Sequence, residues 1–275
     1  MPTNAPCDEP VAAPEARPEK SKPQWLVSVR NLAEAELAVR FGVDILDLKE
    51  PRRGPLAPVS AEVWHQVADL VARPPSHRDG GPQSSAAVFS AAQLSAAQLS
   101  AALGESAQAV ALADRVPPRF AFAKAGPSGC ESESQLRGLW DAVRERMPAE
   151  VELVAVAYAD HRAAGCMEAE RIMALAAQGG FRRVLLDTFE KNGCSAIEVL
   201  GQTRLSQLGR LAHRQHLWWS LAGSITLGHV QRVAELVPER DDRPDCYAVR
   251  GAVCDGDRTG ALCEAKMRQW QRTLR

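Results

Sequence analysis

The sequence predicts a single α/β domain folded as a (β/α)8 TIM barrel, and three observations carry that prediction. Apolar, strand-like runs alternate with helix-period segments from residue 24 onward. Eight such strands can be counted, and strands separated by helices run parallel because a parallel return needs a crossover. Polar residues recur at the C-terminal ends of these strands, where a closed barrel gathers its functional groups.

The elements follow in order. QWLVSVR (24–30) reads as a buried strand, and NLAEAELAVRFG (31–42) as a helix with Asn31 capping its start and Gly42 its end. VDILDLKE (43–50) is the second strand. The breaker-rich loop PRRGPLAP and the helical AEVWHQVADLVA (61–72) come next. Residues 74–98 form an Ala/Ser/Gln-rich insertion with the echo SAAQLSAAQL, read either as padding around a short strand or as a lid. LSAALGE (99–105) is the third strand and the least distinct of the eight. RFAFAKAG (119–126), VELVAVAYAD (151–160), RRVLLDTF (182–189), LWWSLAGS (217–224) and CYAVRGAV (246–253) complete the set. The helical segments ESQLRGLWDAVRERM, EAERIMALAAQG, AIEVLGQTRLSQLGRLAHRQ and LGHVQRVAELV lie between them. Trp218 and Trp219 read as core and helix-packing residues. Residues 1–23, rich in Pro, Ala and charge, read as a disordered tail, which leaves 24–275 as the barrel. The basic end RQWQRTLR reads as a solvated helix end.

Composition narrows the function. A formal net charge of -1 provides no basic excess for nucleic acid or an anionic membrane. No apolar run reaches the ~18–20 residues of a bilayer span. The cysteines number seven, an odd count with no CxxC pair. They read as reduced thiols of a cytoplasmic protein, with no disulfide framework and no zinc site. His213 and His216 lie three apart on one helix, without a nearby third ligand, and read as surface residues.

The candidate chemistry sits at the strand ends. Asp47 and Lys49 are two apart on one strand, so alternation turns both side chains to the same face. Taken alone they read equally well as an ion pair filling the barrel end and as part of a reactive site. Lys124 ends another strand, and Asp187 with Lys191 ends a third. Several lysines and carboxylates converging on one mouth favour the reactive reading. A free lysine, with a pKa near ~10.4, is a poor nucleophile at neutral pH. A neighbouring cation and partial desolvation lower that value, and a neutral amine then attacks a carbonyl to form an iminium. Gly223, Ser224, Arg250 and Gly251 follow the last two strands, where barrels often hold phosphate. Ser28 and Arg30 end the first strand, and Asp160 ends the fifth with His161 beside it.

The segments DILDLKEPRRGPL, FAKAG, VAYADHRAAG, VLLDTFEKNG, LAGSI and VRGAVCDGDRTG resemble, in order, the motifs of the (5-formylfuran-3-yl)methyl phosphate synthase family of methanofuran biosynthesis. The resemblance runs from about Leu26 to about Met267. It implies a barrel lyase that condenses two glyceraldehyde 3-phosphate molecules into a phosphorylated furan aldehyde, losing phosphate and water. It implies no metal or organic cofactor. It implies Lys49 as the Schiff-base lysine, Lys124 as an acid/base lysine, and Asp47, Asp187 and Lys191 as further catalytic residues. Assembly into a homo-oligomer is expected, because barrels of this kind often associate. Glu50 stands where the family usually has Asn, and Ala57 and Pro58 where it usually has small residues. A carboxylate at position 50 is expected to weaken phosphate binding. Two other functions fit the residues: a Schiff-base aldolase on another sugar phosphate, and a non-catalytic barrel that binds a phosphorylated metabolite.

Overall fold

The computed structural model describes residues 22–72 and 97–275. The expected tail (1–23) and insertion (74–98) therefore lie outside the described residues, apart from their last two positions each. Eight parallel strands close into a ring in sequence order, each hydrogen-bonded to the next and β8 to β1. The strands are β1 (Gln24–Val29), β2 (Ile45–Leu48), β3 (Gln98–Glu105), β4 (Phe122–Gly126), β5 (Glu152–Tyr158), β6 (Arg183–Asp187), β7 (Trp218–Leu221) and β8 (Cys246–Val249). The least distinct strand of the sequence is the longest in the ring, at 8 residues. Its small residues Ser100, Ala101 and Ala102 are fully buried, which explains the weak sequence signal: it packs by closeness rather than bulk.

Helices α1 (Leu32–Arg40), α2 (Ala61–Ala72), α3 (Ser106–Leu112), α4 (Glu133–Arg146), α5 (His161–Ala164), α6 (Ala169–Gln178), α7 (Ala196–Arg214), α8 (Leu227–Leu236) and α9 (Glu264–Leu274) accompany the strands. Several starts are written in the sequence. Asn31 accepts from the Glu34 N–H, and Ser132 and Ser195 close capping boxes with Gln135 and Glu198. The short helices α3 and α5 were not expected from the sequence.

Strand alternation divides the apolar residues into two sets. Leu26, Ile45, Phe122, Val154, Leu185 and Cys246 fill the barrel interior. Val27, Leu46, Ala123, Ala155, Leu186 and Val249 face the helices in the larger core. Each fully buried Leu, Val or Ile contributes ~1.5–3 kcal/mol. Trp219 belongs to the outer set, while Trp218 packs against the inner one.

The C-terminal segment corrects the sequence reading. It is not a solvated end, because Met267, Trp270 and Leu274 recur on one face of α9 and are buried. Trp270 stacks on Trp25 of β1, with ring centroids 6.3 Å apart. The polar letters between these positions, on the outer face, hid the apolar stripe.

Candidate active site

Inward positions at the C-terminal ends of β2, β4 and β6 bring lysines and carboxylates together. Asp47 and Lys49 share a face, as alternation requires, and are 1% and 8% exposed. The Lys49 ammonium stands 4.0 Å from Asp47 Oδ2. Lys124, 3% exposed, forms an ion pair with Asp47 Oδ1. Ser28 of β1, paired in register with Asp47, donates its hydroxyl to Asp47 Oδ2 at 3.2 Å. From β6, Asp187 accepts from Lys191 Nζ at 2.9 Å and from the Thr188 N–H at 2.8 Å. Its other oxygen, Oδ2, is buried without a hydrogen-bond partner among the described residues.

This arrangement sets the ionisation of Lys49. Burial draws its ammonium down from 10.5 to about 8. Asp187 and Asp47 push the value back up, and the cations Lys191 and Lys124 push it down. Burial alone would raise the Asp187 carboxyl, but Lys191 and Lys49 outweigh it and hold Asp187 below the usual range. The group therefore contains one amine able to lose its proton near neutrality beside a carboxylate that stays ionised.

A cavity of about 430 Å³ opens over these groups. Asp47, Lys49, Lys124, Asp187 and Lys191 form part of its wall. Gly223, Ser224 and Thr226 line it from the β7–α8 loop, and Gly251 and Arg258 from the segment after β8. Gly223 has φ +84, and a Cβ there would crowd Thr188 and Ala196. Ser224 also holds a positive φ of 55, a conformation rarely populated by a residue with a side chain. Thr226 caps α8 through the His229 N–H, so the first turn of that helix lies at the cavity edge.

Some candidates occupy other positions. Asp160 accepts from the Phe189 and Glu190 N–H groups at 2.7 and 2.8 Å, and so fixes the loop after β6. His161 follows it at the start of α5, with Nε2 3.8 Å from Glu168. Neither Ser28, Arg30 nor Asp160 lines the cavity. Arg250 does line it, but its guanidinium is committed elsewhere. Arg250 donates to Glu34 at 2.5 and 3.0 Å, to the carbonyls of Ser28 and Gly260 at 2.9 and 2.6 Å, and to the Arg258 carbonyl at 3.0 Å. Arg30 grips the same Glu34 at 2.6 Å and the Thr259 carbonyl at 2.6 Å. Both arginines thus tie the segment after β8 to β1 and α1. Burial alone would raise the Glu34 carboxyl, but hydrogen bonds from Arg250 and Arg30 hold it low.

Arg258 was missed in the sequence. It hangs into the cavity from the loop that the two arginines anchor, and donates to the Gly54 carbonyl at 3.4 Å. The signal was its place in the glycine-rich run GDRTG after the last strand. Glu50 accepts from the Arg52 N–H at 3.0 Å and caps the turn Pro51–Arg53. It is not among the cavity-lining residues. His213 pairs with Asp242 at 3.0 Å, and no described helix is long and apolar enough to cross a membrane.

Comparison with known proteins gives a consistent result. The family model described as 4-HFC-P synthase matches residues 25–271. The (5-formylfuran-3-yl)methyl phosphate synthase of Methanosarcina mazei is 30% identical over 241 residues, covering 86% of this chain and 93% of that protein. The enzyme of the same name from Archaeoglobus fulgidus is 28% identical, with the same coverage of 86% and 93%. Among solved structures, GGGPS from Thermoplasma volcanium superposes with a TM-score of 0.58 at 9% identity, covering 93% of this chain and 92% of that one. Phosphoribosylanthranilate isomerase from Thermotoga maritima gives 0.51 at 14% identity, covering 92% and 98%. At these identities the two structures attest the fold alone.

Proposed function

The chain belongs to the 4-HFC-P synthase family, and from that premise we propose that it condenses two glyceraldehyde 3-phosphate molecules into (5-formylfuran-3-yl)methyl phosphate through a Schiff base on Lys49. The observation that carries this reading is the Lys49 amine: buried, drawn down to about 8, and set between two carboxylates and two further ammonium groups. Such an amine reaches its neutral, nucleophilic form near physiological pH.

The chemistry follows from the neighbours. Lys124, paired with Asp47, assists isomerisation of one triose phosphate. The Lys49 nitrogen adds to the aldehyde of the other, unisomerised triose and the carbonyl oxygen leaves as water, giving an iminium. Loss of the adjacent proton converts the iminium to an enamine. Asp187 is suited to take that proton, since it stays ionised and its Oδ2 carries no hydrogen bond from the described residues. The enamine expels phosphate from the third carbon of that triose, and the same carbon, now the nucleophilic end of an enol, attacks the ketone carbon of the isomerised triose, whose oxygen takes up a proton from a lysine ammonium. This bond gives the branched six-carbon skeleton of the product. The primary hydroxyl of the isomerised triose closes the ring onto the remaining ketone, and loss of two waters yields the aromatic furan. Addition of water to the remaining imine frees Lys49 and leaves the formyl group. Lys191 holds Asp187 in place and supplies positive charge as phosphate leaves. The remaining phosphate is assigned to the backbone N–H groups around Gly223, Ser224 and Gly251, with Arg258 as its charged partner.

Borohydride trapping tests the reading. The protein is incubated with glyceraldehyde 3-phosphate, reduced and digested, while ultraviolet absorbance is followed for a conjugated aldehyde. A mass adduct on Lys49 together with furan product is expected. An adduct without furan would reassign the protein as an aldolase. Neither adduct nor turnover would leave a phosphate-binding barrel.

A further inference from the structure

On the opposite side of the mouth, at the ends of β3, β4 and β5, a partly buried carboxyl is unused by the chemistry above. Glu105 ends β3 and accepts the Tyr158 hydroxyl at 2.5 Å and the Ser128 N–H at 3.1 Å. Tyr158 ends β5, two strands away, so the contact must pass over β4. It does so at Gly126, where a Cβ would overlap the Glu105 carboxylate. The backbone on both sides of Glu105 is in the left-handed region, with Gly104 at φ 90 and Ser106 at φ 40. The glycine takes this conformation without strain, but Ser106 does not, and unfavourable backbone directly beside the carboxyl marks a placement that the fold over-determines. Burial, the largest influence, raises the Glu105 carboxyl above its ordinary range.

The contact continues toward the lysines. The Tyr158 ring meets Phe189 edge-on, with centroids 5.4 Å apart. Phe189 and Glu190 are fixed by Asp160, and Lys191 follows them directly. Tyr158 is also the register partner of Asp187, which Lys191 contacts. Neither Glu105 nor Tyr158 lines the cavity, so neither meets the substrate directly.

We propose that Glu105 and Tyr158 form a strut across the glycine of β4 that positions the Phe189–Lys191 loop, and with it the Lys191 ammonium, against Asp187 and Lys49. The two are positioning residues for the reaction, and their role in turnover rests on the function proposed above. Loss of the strut lets Lys191 move away. Lys49 then loses a neighbouring cation, and Asp187 becomes freer to attract the Lys49 proton; both changes raise the pH at which Lys49 becomes neutral.

Two readouts test this, one of them independent of turnover. The first is the pH dependence of Lys49 acylation by an acetylating reagent, read by mass spectrometry, whose midpoint in the parent protein is expected near 8. The second is kcat and KM with glyceraldehyde 3-phosphate. The variants are Tyr158→Phe, Glu105→Leu/Tyr158→Phe and Gly126→Ala. Tyr158→Phe is expected to move the midpoint upward and lower kcat on the order of 10- to 100-fold, as small misplacements do. The double variant removes the Tyr158 hydroxyl and the carboxylate together and leaves only the Ser128 N–H to find another acceptor, so it regains part of the thermal stability without regaining the midpoint or kcat. Gly126→Ala keeps both groups but pushes the carboxylate aside, and it reproduces the single variant. The proposal is overturned if folded Tyr158→Phe and Gly126→Ala both keep the parent midpoint. It is equally overturned if the double variant recovers kcat with stability, since that is a purely structural role. A parent protein that makes no furan defeats the function proposed above and leaves the acylation midpoint to decide the strut.

Discussion

At the β8–β1 rim, Arg250 and Arg30 close around a single carboxylate, Glu34. A few residues away, β2, β4 and the β6 loop bring Lys49, Lys124 and Lys191 to two carboxylates, Asp47 and Asp187. Both clusters gather buried or partly buried cations at one barrel mouth, yet their tasks differ. The rim uses arginine, which never deprotonates and whose fork of donors is filled by carbonyls and Glu34. The lysine cluster uses an amine that sheds its proton when buried among other cations. One cluster fixes backbone and the other is suited to react, and the choice of residue type follows from that. The barrel floor repeats the arginine solution. There Arg183 lies 4.8 Å from the Phe122 ring centroid and 4.5 Å from that of Trp218, with Glu152 at 3.4 Å.

The contrast breaks most sharply at Lys49. Lys49→Ala is expected to lower kcat by on the order of 10³-fold or more, with no borohydride adduct. Lys49→Arg should be equally inactive, because a guanidinium gives no neutral amine. Arg250→Met tests the other side. Thermal or denaturant unfolding should show a loss of ~3–5 kcal/mol, because one member of a buried ion pair is left behind. Any folded fraction of that variant should still form the Lys49 adduct. Asp187→Asn is expected to reduce kcat by about 10²-fold with the fold intact, as loss of a proton-transfer group does. Arg258→Gln should raise KM about tenfold and leave the adduct site unchanged, consistent with one lost charged contact to phosphate.

The smallest effect concerns pH and sharpens the comparison. Only the neutral Lys49 amine reacts, so kcat/KM should rise with pH and level off above about 8. Lys191→Met removes a cation that depresses Lys49, so this limb should move to higher pH. Arg30→Met removes no group that acts on Lys49 and should leave the limb in place. A limb that does not respond to Lys191 would undo the division between the two clusters.

Much of this was legible in the chain. The period-two placement of Asp47 and Lys49 fixed their common face, and the polar strand ends located the mouth. Lys124 and Asp187 were visible for the same reason. The task of Arg250 was not, because its partner Glu34 lies on α1, more than two hundred residues earlier, and nothing local signals the pairing. The Glu105–Tyr158 contact was hidden for a similar reason. It depends on a missing side chain at Gly126, on a strand between the two partners. Local pattern reveals which face a residue takes; it does not reveal which distant residue meets it there.

The stacking of Trp25 on Trp270 has a consequence for the order of synthesis. A nascent chain displays β1 long before α9 leaves the ribosome. Until residues 264–274 emerge, Trp25 lacks its stacking partner, and the seam between β1 and β8 joins segments far apart in sequence. A ribosome paused shortly before the last helix therefore holds an almost complete sheet whose first strand still lacks the Trp270 ring. Release of the final helix supplies that partner and closes the outer layer over the first strand.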